Sequence, residues 1–367
     1  MTARVRVLHF VTGGFSGGAT QVAIQLVEAA RAGTVIEPLL VLRRKRRTPP
    51  ARLAKLRARG VPMALVPGWS HLATIAALVR ICRQFKPDVL VAHGFSEHLW
   101  GRYAGLLAGV PHLVHVEHNT RERYTRWRLL QTRWLAQRTD RIIGCSEGVR
   151  DALLALGMPP ERTLAIPNGI HLAPFADADL HPFTARTPGI IMVARMSKQK
   201  DHATLLRAVA LLKQRGWHVP VQLAGGGKAL HRKPLEALAQ SLGIAAQVQF
   251  LGVVHDVPQR LMQHQFCVLS THYEGMPLAL LEGMAAGCAV IGSAVPGVRE
   301  VLQHGHDGLL VPEGDAATLA DALEHLLRHP EQAARLAAHA RAAAQARFDR
   351  TLMHQRYEAL FLELARS

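Results

Sequence analysis

Two carboxylates stand eight positions apart in Tyr273–Gly287, YEGMPLALLEGMAAG, with Glu274 just ahead of a Gly-Met-Pro and Glu282 beyond it. Phe266–Ser270 reads as a buried strand, Thr271–Gly275 as its exit loop, and Pro277 as the first residue of a helix, where the missing N–H of proline costs nothing. The helix start offers free amides and a partial positive charge to an anionic ligand. Glu274 in the loop can accept hydrogen bonds from sugar hydroxyls, and Glu282, more than a turn into the helix, can hold both hydroxyls of a ribose. A glycosidase acid/base pair fits less well, because eight helical residues rise about 12 Å and such carboxyls sit roughly 5–9.5 Å apart. The plainer alternative is that Glu282 is a solvated helix residue.

Two more clusters carry chemistry. In VARMSKQKDHATLLRAV, Arg195 and Lys200 occupy a strand-to-helix loop, ahead of a helix starting near Asp201. Two cations at that edge of a sheet can hold a diphosphate and neutralise the charge that grows as it leaves; ordinary surface residues are the competing reading. In VTGGFSGGATQVAIQLV, Gly13, Gly14, Gly17 and Gly18 lie between a strand and a helix. Such glycines let backbone N–H groups approach a phosphate, or simply make a glycine-rich turn. The GGFSGG spacing is not the GxGxxG of a dinucleotide site, and the second strand runs into Arg43, Arg44, Lys45, Arg46 and Arg47 instead of ending on a ribose-binding acid. Both features argue against a nicotinamide dehydrogenase.

The elements that position these residues alternate. RVRVLHFV, VIEPLLVL, MALV, DVLVAH, HLVHVEH, RIIGCS and TLAI read as strands in the first half, and GIIMVA, VPVQLAG, QVQFLG, FCVLS and CAVIG in the second. Amphipathic stretches such as Ala19–Arg31 and Leu72–Phe85 separate them. This alternation predicts two successive parallel sheets flanked by helices. Pro167–Gly189, rich in Pro and Gly and without periodicity, is the expected interdomain connection. The domains are therefore expected at 1–170 and 171–345, with a helix over 346–367 packing back on the first. Two doubly wound domains facing one another place ligands at the C-terminal edges of their sheets, in the cleft between them.

Bulk composition narrows the class. With 367 residues and 49% apolar content the chain can build two cores. No apolar run reaches the ~18–20 residues of a membrane span, and the N-terminus lacks signal-peptide anatomy. Cys82, Cys145, Cys267 and Cys288 lie far apart in apolar segments, as reduced buried thiols in a cytoplasmic protein do. Of the net charge of +17, residues 1–170 carry +15 (25 Lys+Arg against 10 Asp+Glu). The first half is thus expected to meet an anionic partner.

The run through Glu274 and Glu282 resembles the E-x7-E signature of the retaining glycosyltransferases of family 4, which have the GT-B fold. CAVIGSAVPGVREVLQHGHDGLLVPEGD is similar to that family's segment closing the donor site, VARMSKQKD to its Arg/Lys diphosphate motif, IPNGIH to its interdomain Asn-Gly, and GGFSGGA to its glycine loop. The resemblance covers nearly the whole chain and is strongest over 190–315. Met276 stands where an aromatic is common, and Ala194 where Gly is common.

By this resemblance the fold is α/β, with two Rossmann-like doubly wound domains. Arg195, Lys200 and Gly14 are expected to bind the donor diphosphate, Glu282 the nucleoside, and Glu274, Gly275, Met276, Pro277 and Leu278 the transferred sugar. Gly17 and Gly18 fall on the acceptor side. His118, at the end of HLVHVEHNTRERY, matches the histidine that relatives place beside the transferred sugar, so His118 and Glu274 are the expected catalytic residues. The resemblance implies a nucleotide-sugar donor, UDP-linked, as substrate, no cofactor and no metal, since cations and a helix start serve the leaving group. It implies same-face attack by the acceptor, with a leaving phosphate oxygen as base.

Arg121–Arg138 mixes Tyr124, Trp127, Leu130 and Trp134 at helical spacing with arginines. It suits a bilayer interface or, equally, an ordinary helix whose tryptophans pack on the sheet. Residues 43–47 add a second cationic cluster. Together these predict a cytoplasmic enzyme on the inner face of the cytoplasmic membrane, meeting a lipid-linked or glycan acceptor in lipopolysaccharide or other surface-polysaccharide assembly. A nucleotide-sugar 2-epimerase of the same fold is the competing enzyme. A basic nucleic-acid-binding protein is the competing binder, but it leaves Glu274 and Glu282 unexplained, so no nucleic acid is expected.

Overall fold

The apolar runs of the first half become seven strands: β1 (Val5–Thr12), β2 (Ile36–Arg43), β3 (Met63–Val66), β4 (Val89–His93), β5 (His112–Glu117), β6 (Arg141–Gly144) and β7 (Thr163–Ala165). Those of the second half become β8 (Thr187–Val193), β9 (Val221–Ala224), β10 (Val248–Gly252), β11 (His264–Leu269), β12 (Ala289–Ser293) and β13 (Leu309–Val311). In this computed structural model, which describes residues 4–15, 18–46, 48–94, 97–121 and 124–367, the strands form two wholly parallel sheets. Their orders are β3-β2-β1-β4-β5-β6-β7 and β10-β9-β8-β11-β12-β13. Each order reverses once, between β1 and β4 in the first sheet and between β8 and β11 in the second. Open parallel sheets bind ligands at the carboxyl ends of the strands flanking that reversal. The eight residues of β1 pair with β2 in unbroken register from Val5–Ile36 to Thr12–Arg43.

Both faces of the first sheet are covered, which is why its strands read as continuous apolar runs. Val7, Val91, Val114 and Val116 point to one side, where Tyr357, Leu360 and Phe361 of the C-terminal helix Arg350–Leu364 meet them. Leu8, Phe10, Leu90 and Ala92 point to the other, against Leu78 and Cys82 of the helix His71–Phe85. Each such fully buried side chain contributes roughly 1.5–3 kcal/mol. Helix starts follow capping chemistry: Ser70 accepts from the Ala73 N–H at 3.4 Å, and Asp201 and Asp315 accept from Thr204 and Thr318 at 3.3 and 2.9 Å. All four cysteines are buried free thiols.

The chain divides into one unit of Met1–Asn168 with Thr351–Ser367, and another of Gly169–Arg350. Several expectations shift. Most of Pro167–Gly189 is part of the second unit: it forms the 3-10 turns Ala173–Leu180 and Phe183–Ala185, with Phe175 and Ala178 buried. The helix expected over 346–367 is Arg350–Leu364, set off from the preceding helix Pro330–Arg347 by a break at Phe348–Asp349. There Ile170 donates its N–H to Phe348 O at 2.8 Å and accepts from Arg350 N at 2.9 Å. Pro277 does not open its helix but precedes it, the helix being Leu278–Ala285 with Pro277 O accepting from Leu280 N at 2.9 Å.

Candidate functional site

In the second unit the two strands at the order reversal, β8 and β11, send out the loops that carry the sequence-derived site residues. The β8 exit keeps sheet-like pairing past the strand end, Ala194 N donating to Ala224 O and Met196 N to Gly226 O, both at 2.9 Å. Gly225–Gly227 make that approach possible: a Cβ on Gly225 would lie 2.0 Å from Ala194 O, and one on Gly227 2.6 Å from Met196 Cβ. This glycine triplet was not singled out from the sequence, where LAGGGKAL looks like a plain strand end.

The β8 exit is then fastened to the β11 exit. Gln199 Nε2 donates to Tyr273 O at 2.7 Å, Gln199 O accepts from His272 N at 2.9 Å and Thr271 Oγ1 at 3.0 Å, and Ser270 Oγ donates to Asp201 O at 2.7 Å. These bonds bring Lys200 against Glu274, residues 74 positions apart, so that the Lys200 ammonium donates to Glu274 Oε1. The same oxygen accepts from Thr271 Oγ1 at 2.8 Å. Glu274 is only 6% exposed, and Gly275, Met276 and Pro277 are buried beside it, with Leu278 half-buried. Behind them a Cβ on Gly297 would sit 2.3 Å from Gly275 O and 2.5 Å from Glu274 O. The segment after β12 therefore supports the loop backbone directly.

Glu282 lies on the next turn, half-buried, and burial pushes its carboxyl from 4.5 up to about 7. Near neutral pH it exists in both forms, suited to hydroxyl partners that donate and accept. Arg195 is exposed on the β8 exit.

In the first unit His118 follows β5 directly. Its N–H donates to Glu117 Oε1 at 2.8 Å, its Nε2 lies 3.3 Å from His93 Nδ1, and His93 Nε2 lies 3.1 Å from His9 Nδ1. The rings stack at 5.5 and 5.4 Å. Burial lowers His118 to about 4, His9 to about 3, and His93 well below 6.5. All three are neutral at pH 7, and two shared N–H bonds couple their tautomers. His9 and His93 lie inside apolar runs, and only the fold reveals their link to His118.

Beside them His98, His115 and Glu117, all buried, place ligand atoms within 4.8 Å of one another. The set does not suit a metal. Arg102 Nη2, always a donor, lies 2.6 Å from His98 Nδ1, so the His98 proton is on Nε2, facing Tyr124 OH at 3.2 Å. That nitrogen has no lone pair to give, and a fully buried guanidinium alongside opposes a further cation.

Gly13 and Gly14 turn out of β1, Gly18 begins the helix Gly18–Ala32, and Gly17 lies outside the described residues. Within the 43–47 run, Arg43 and Lys45 turn toward Glu97 while Arg44 and Arg46 are exposed; Arg47 lies outside the described residues. The 121–138 stretch, in which 122 and 123 lie outside the described residues, forms the helix Arg126–Ala136. Its Trp127, Leu130 and Trp134 face outward, at 69%, 58% and 47% exposure, and do not pack on the sheet.

Two parallel sheets of matching order define a class, the two-domain α/β proteins of the GT-B fold. The solved structure of Anabaena Alr3699/HepE in complex with UDP and glucose superposes with a TM-score of 0.86, over 98% of this chain and all of that one, at 22% identity. A family model for glycosyl transferases group 1 matches residues 181–343 and one for Glycosyltransferase Family 4 matches 16–173. The chain belongs to glycosyltransferase family 4. It is 34% identical over 214 residues to the exopolysaccharide phosphotransferase SCO2592 of Streptomyces coelicolor, covering 57% of this chain but only 22% of that protein. It is 25% identical over 270 residues to the UDP-Gal:alpha-D-GlcNAc-diphosphoundecaprenol alpha-1,3-galactosyltransferase of Escherichia coli, covering 69% of each.

Proposed function

We propose that the chain is a retaining, metal-independent glycosyltransferase that moves a hexose or N-acetylhexosamine from a UDP-sugar to a lipid-linked or polysaccharide acceptor in surface-glycan assembly. The observation that carries this is the Lys200–Glu274 pair at the order reversal of the second sheet. An ammonium already held by the carboxylate meant for the sugar is placed to bind the sugar's diphosphate. Arg195 adds the second cation, and Glu282 takes the ribose hydroxyls. As the bond from the anomeric carbon to the diphosphate breaks, both electrons go to the phosphate oxygen, where the cations stabilise them. The acceptor hydroxyl attacks the same face and passes its proton to that oxygen. The chemistry needs no metal or other cofactor. The names of the Escherichia coli relative and of the UDP-bound Anabaena structure support the UDP donor, and the former supports the diphosphate-linked acceptor.

Thermal-shift measurement against UDP, GDP and their sugar conjugates tests the donor, because a ligand that binds only the native state raises Tm with its affinity. Stabilisation by UDP that Glu282→Ala abolishes is the expected result. No shift with any nucleotide overturns the reading. Release of UDP only when acceptor is present separates transfer from epimerisation.

We read the first unit as the part that meets the inner face of the cytoplasmic membrane. Among the described residues no helix is long and apolar enough to cross a membrane. Trp127, Leu130 and Trp134 instead form an exposed stripe beside Arg126, Arg133 and Arg138, joined through the Trp134–Tyr103–Trp100–His71 ring contacts to Trp69 and Leu72 at 84% and 79% exposure. Tryptophan with arginine suits the headgroup layer. Co-sedimentation with phosphatidylglycerol vesicles and not with phosphatidylcholine is expected. Equal binding to neither, even at low salt, refutes it.

A further inference from the structure

The run of five basic residues after β2 does not behave as one surface cluster. Arg43, the last residue of β2, has a side chain 5% exposed, and Lys45 one 38% exposed. Both reach the same oxygen of Glu97, the first residue of the helix Glu97–Ala108, at 3.5 and 2.9 Å. One carboxylate cannot neutralise two cations. The 3.5 Å contact is at the outer limit of a hydrogen bond, and Arg43 Nε is buried with no hydrogen-bond partner among the described residues. A buried guanidinium left incompletely paired is costly unless something else completes it.

The neighbours add donors. Arg43 Nη2 donates to His71 Nδ1 at 3.0 Å, so neutral His71 carries its proton on Nε2. Partial burial, then Arg43, Arg128 and Lys45, lower the His71 pKa and keep the ring neutral. Lys45 and Thr48 are tied to one another, Lys45 N donating to Thr48 Oγ1 at 2.7 Å and Thr48 N to Lys45 O at 3.1 Å. The glycine turn after β1 packs on it. Gly13 N donates to Arg43 O at 2.8 Å, and a Cβ on Gly13 would lie 2.8 Å from that oxygen and 3.3 Å from Thr48 Oγ1. All of this is at the carboxyl edge of β1 and β2, where doubly wound sheets take ligands.

We propose that Arg43, Lys45 and His71 form a phosphate-binding subsite for the acceptor, distinct from the diphosphate residues of the second unit. It rests on the glycosyl-transfer reading and gives the acceptor a chemical class: its phosphate or diphosphate lies beside the β2 exit. A phosphate offers the two negative charges and several acceptor oxygens that Glu97 alone does not supply. Phosphate on a lipid carrier and phosphate on a saccharide core present the same group.

The test is calorimetric titration of inorganic pyrophosphate into the full chain saturated with UDP, so that the donor residues are occupied. Binding is expected in the wild type, weakened about tenfold or more in Lys45→Ala, the loss of one charge-assisted contact, and largely kept in Lys45→Arg. Glu97→Gln should tighten it, because the competing carboxylate is gone; a purely structural ion network would show no such gain. Acetate should not bind. Lipid-free sugar phosphate and a short-chain alkyl diphosphate, titrated in turn, tell which source is preferred. Pyrophosphate affinity unchanged by Lys45→Ala, or no binding at all with UDP present, overturns the proposal. Failure of UDP itself to bind refutes the donor reading instead, and the titration without UDP then tests the subsite alone.

Discussion

Lys200 and Glu274 are joined by a charge-assisted hydrogen bond in the ligand-free protein, with Thr271 Oγ1 as the third member at 2.8 Å. The Glu274 side chain is 7% exposed and that of Lys200 18%, so the pair is largely removed from water and each partner depends on the other. Removing one member of such a pair is more damaging than its net worth suggests.

Lys200→Ala should lower kcat by roughly 100- to 1000-fold, the scale for losing a stabiliser of leaving-group charge, and should also lower Tm. Glu274→Gln should weaken transfer less, and Lys200→Ala with Glu274→Gln should be far from additive, as for contacting residues in one network. Steady-state kinetics and melting curves on the four proteins of the cycle check this. Additive losses would mean that the two act separately.

Gly297→Ala introduces no charge, yet its Cβ would lie 2.3 Å from Gly275 O and 2.5 Å from Glu274 O. The loop holding Glu274 must shift, at about 1–3 kcal/mol for overpacking. A fall in Tm with a fall in kcat is expected, whereas Gly305→Ala, where no atom lies within 4 Å of the new Cβ, should lose only what its φ of +77° imposes. Normal activity in Gly297→Ala would show that the loop tolerates displacement.

Glu282 has its pKa raised from 4.5 to about 7 by burial. The folded protein therefore holds a proton that the unfolded chain has released, and this residue costs stability increasingly as pH rises from about 4.5 to about 7. Glu282→Gln removes that cost. Its stability advantage over wild type, measured without ligand by chemical denaturation, should be small near pH 4.5 and grow to a plateau above pH 7, of order 1–3 kcal/mol for a half-buried group. A pH-independent difference would mean that Glu282 is solvated after all.

The linked histidines act in the opposite direction. His118 at about 4, His9 at about 3, and His93 well below 6.5 are neutral in the fold. As pH falls below 6.5 the unfolded chain takes up protons that the folded chain refuses, so stability is lost progressively toward pH 4. The wild-type Tm should fall across that window, and His93→Leu should flatten the fall while uncoupling the His118 tautomer. Ring-nitrogen NMR shifts of His118 read the second effect. His118→Ala with unchanged turnover and sugar affinity would remove that residue from the site.

The strand–helix alternation was legible because the central strands read as short apolar runs, β4 and β12 being buried at all five of their positions. β13, three residues inside a donor-site motif, offered no pattern long enough to see. Glu274 and Lys200 were each visible as site candidates, but their bond was not: it depends on which strands lie side by side, and 74 residues separate the partners. The arginine run after β2 misleads for the same reason. Sequence shows five adjacent charges, while the strand end and the following turn send Arg43 and Lys45 to Glu97 and leave Arg44 and Arg46 exposed. Trp127 and Trp134 could have faced either way, since helical spacing defines a face but not what covers it.

The chain enters the second unit at Gly169 and returns at Thr351, and the final seventeen residues complete the hydrophobic interior of the first. During synthesis the first sheet thus waits, with the surface beneath Tyr357 and Phe361 uncovered, until the whole second unit has been made. The helix Arg350–Leu364 is thus a late-made part of the first core, and proteolysis at the break around Phe348–Asp349 should damage the amino-terminal half first.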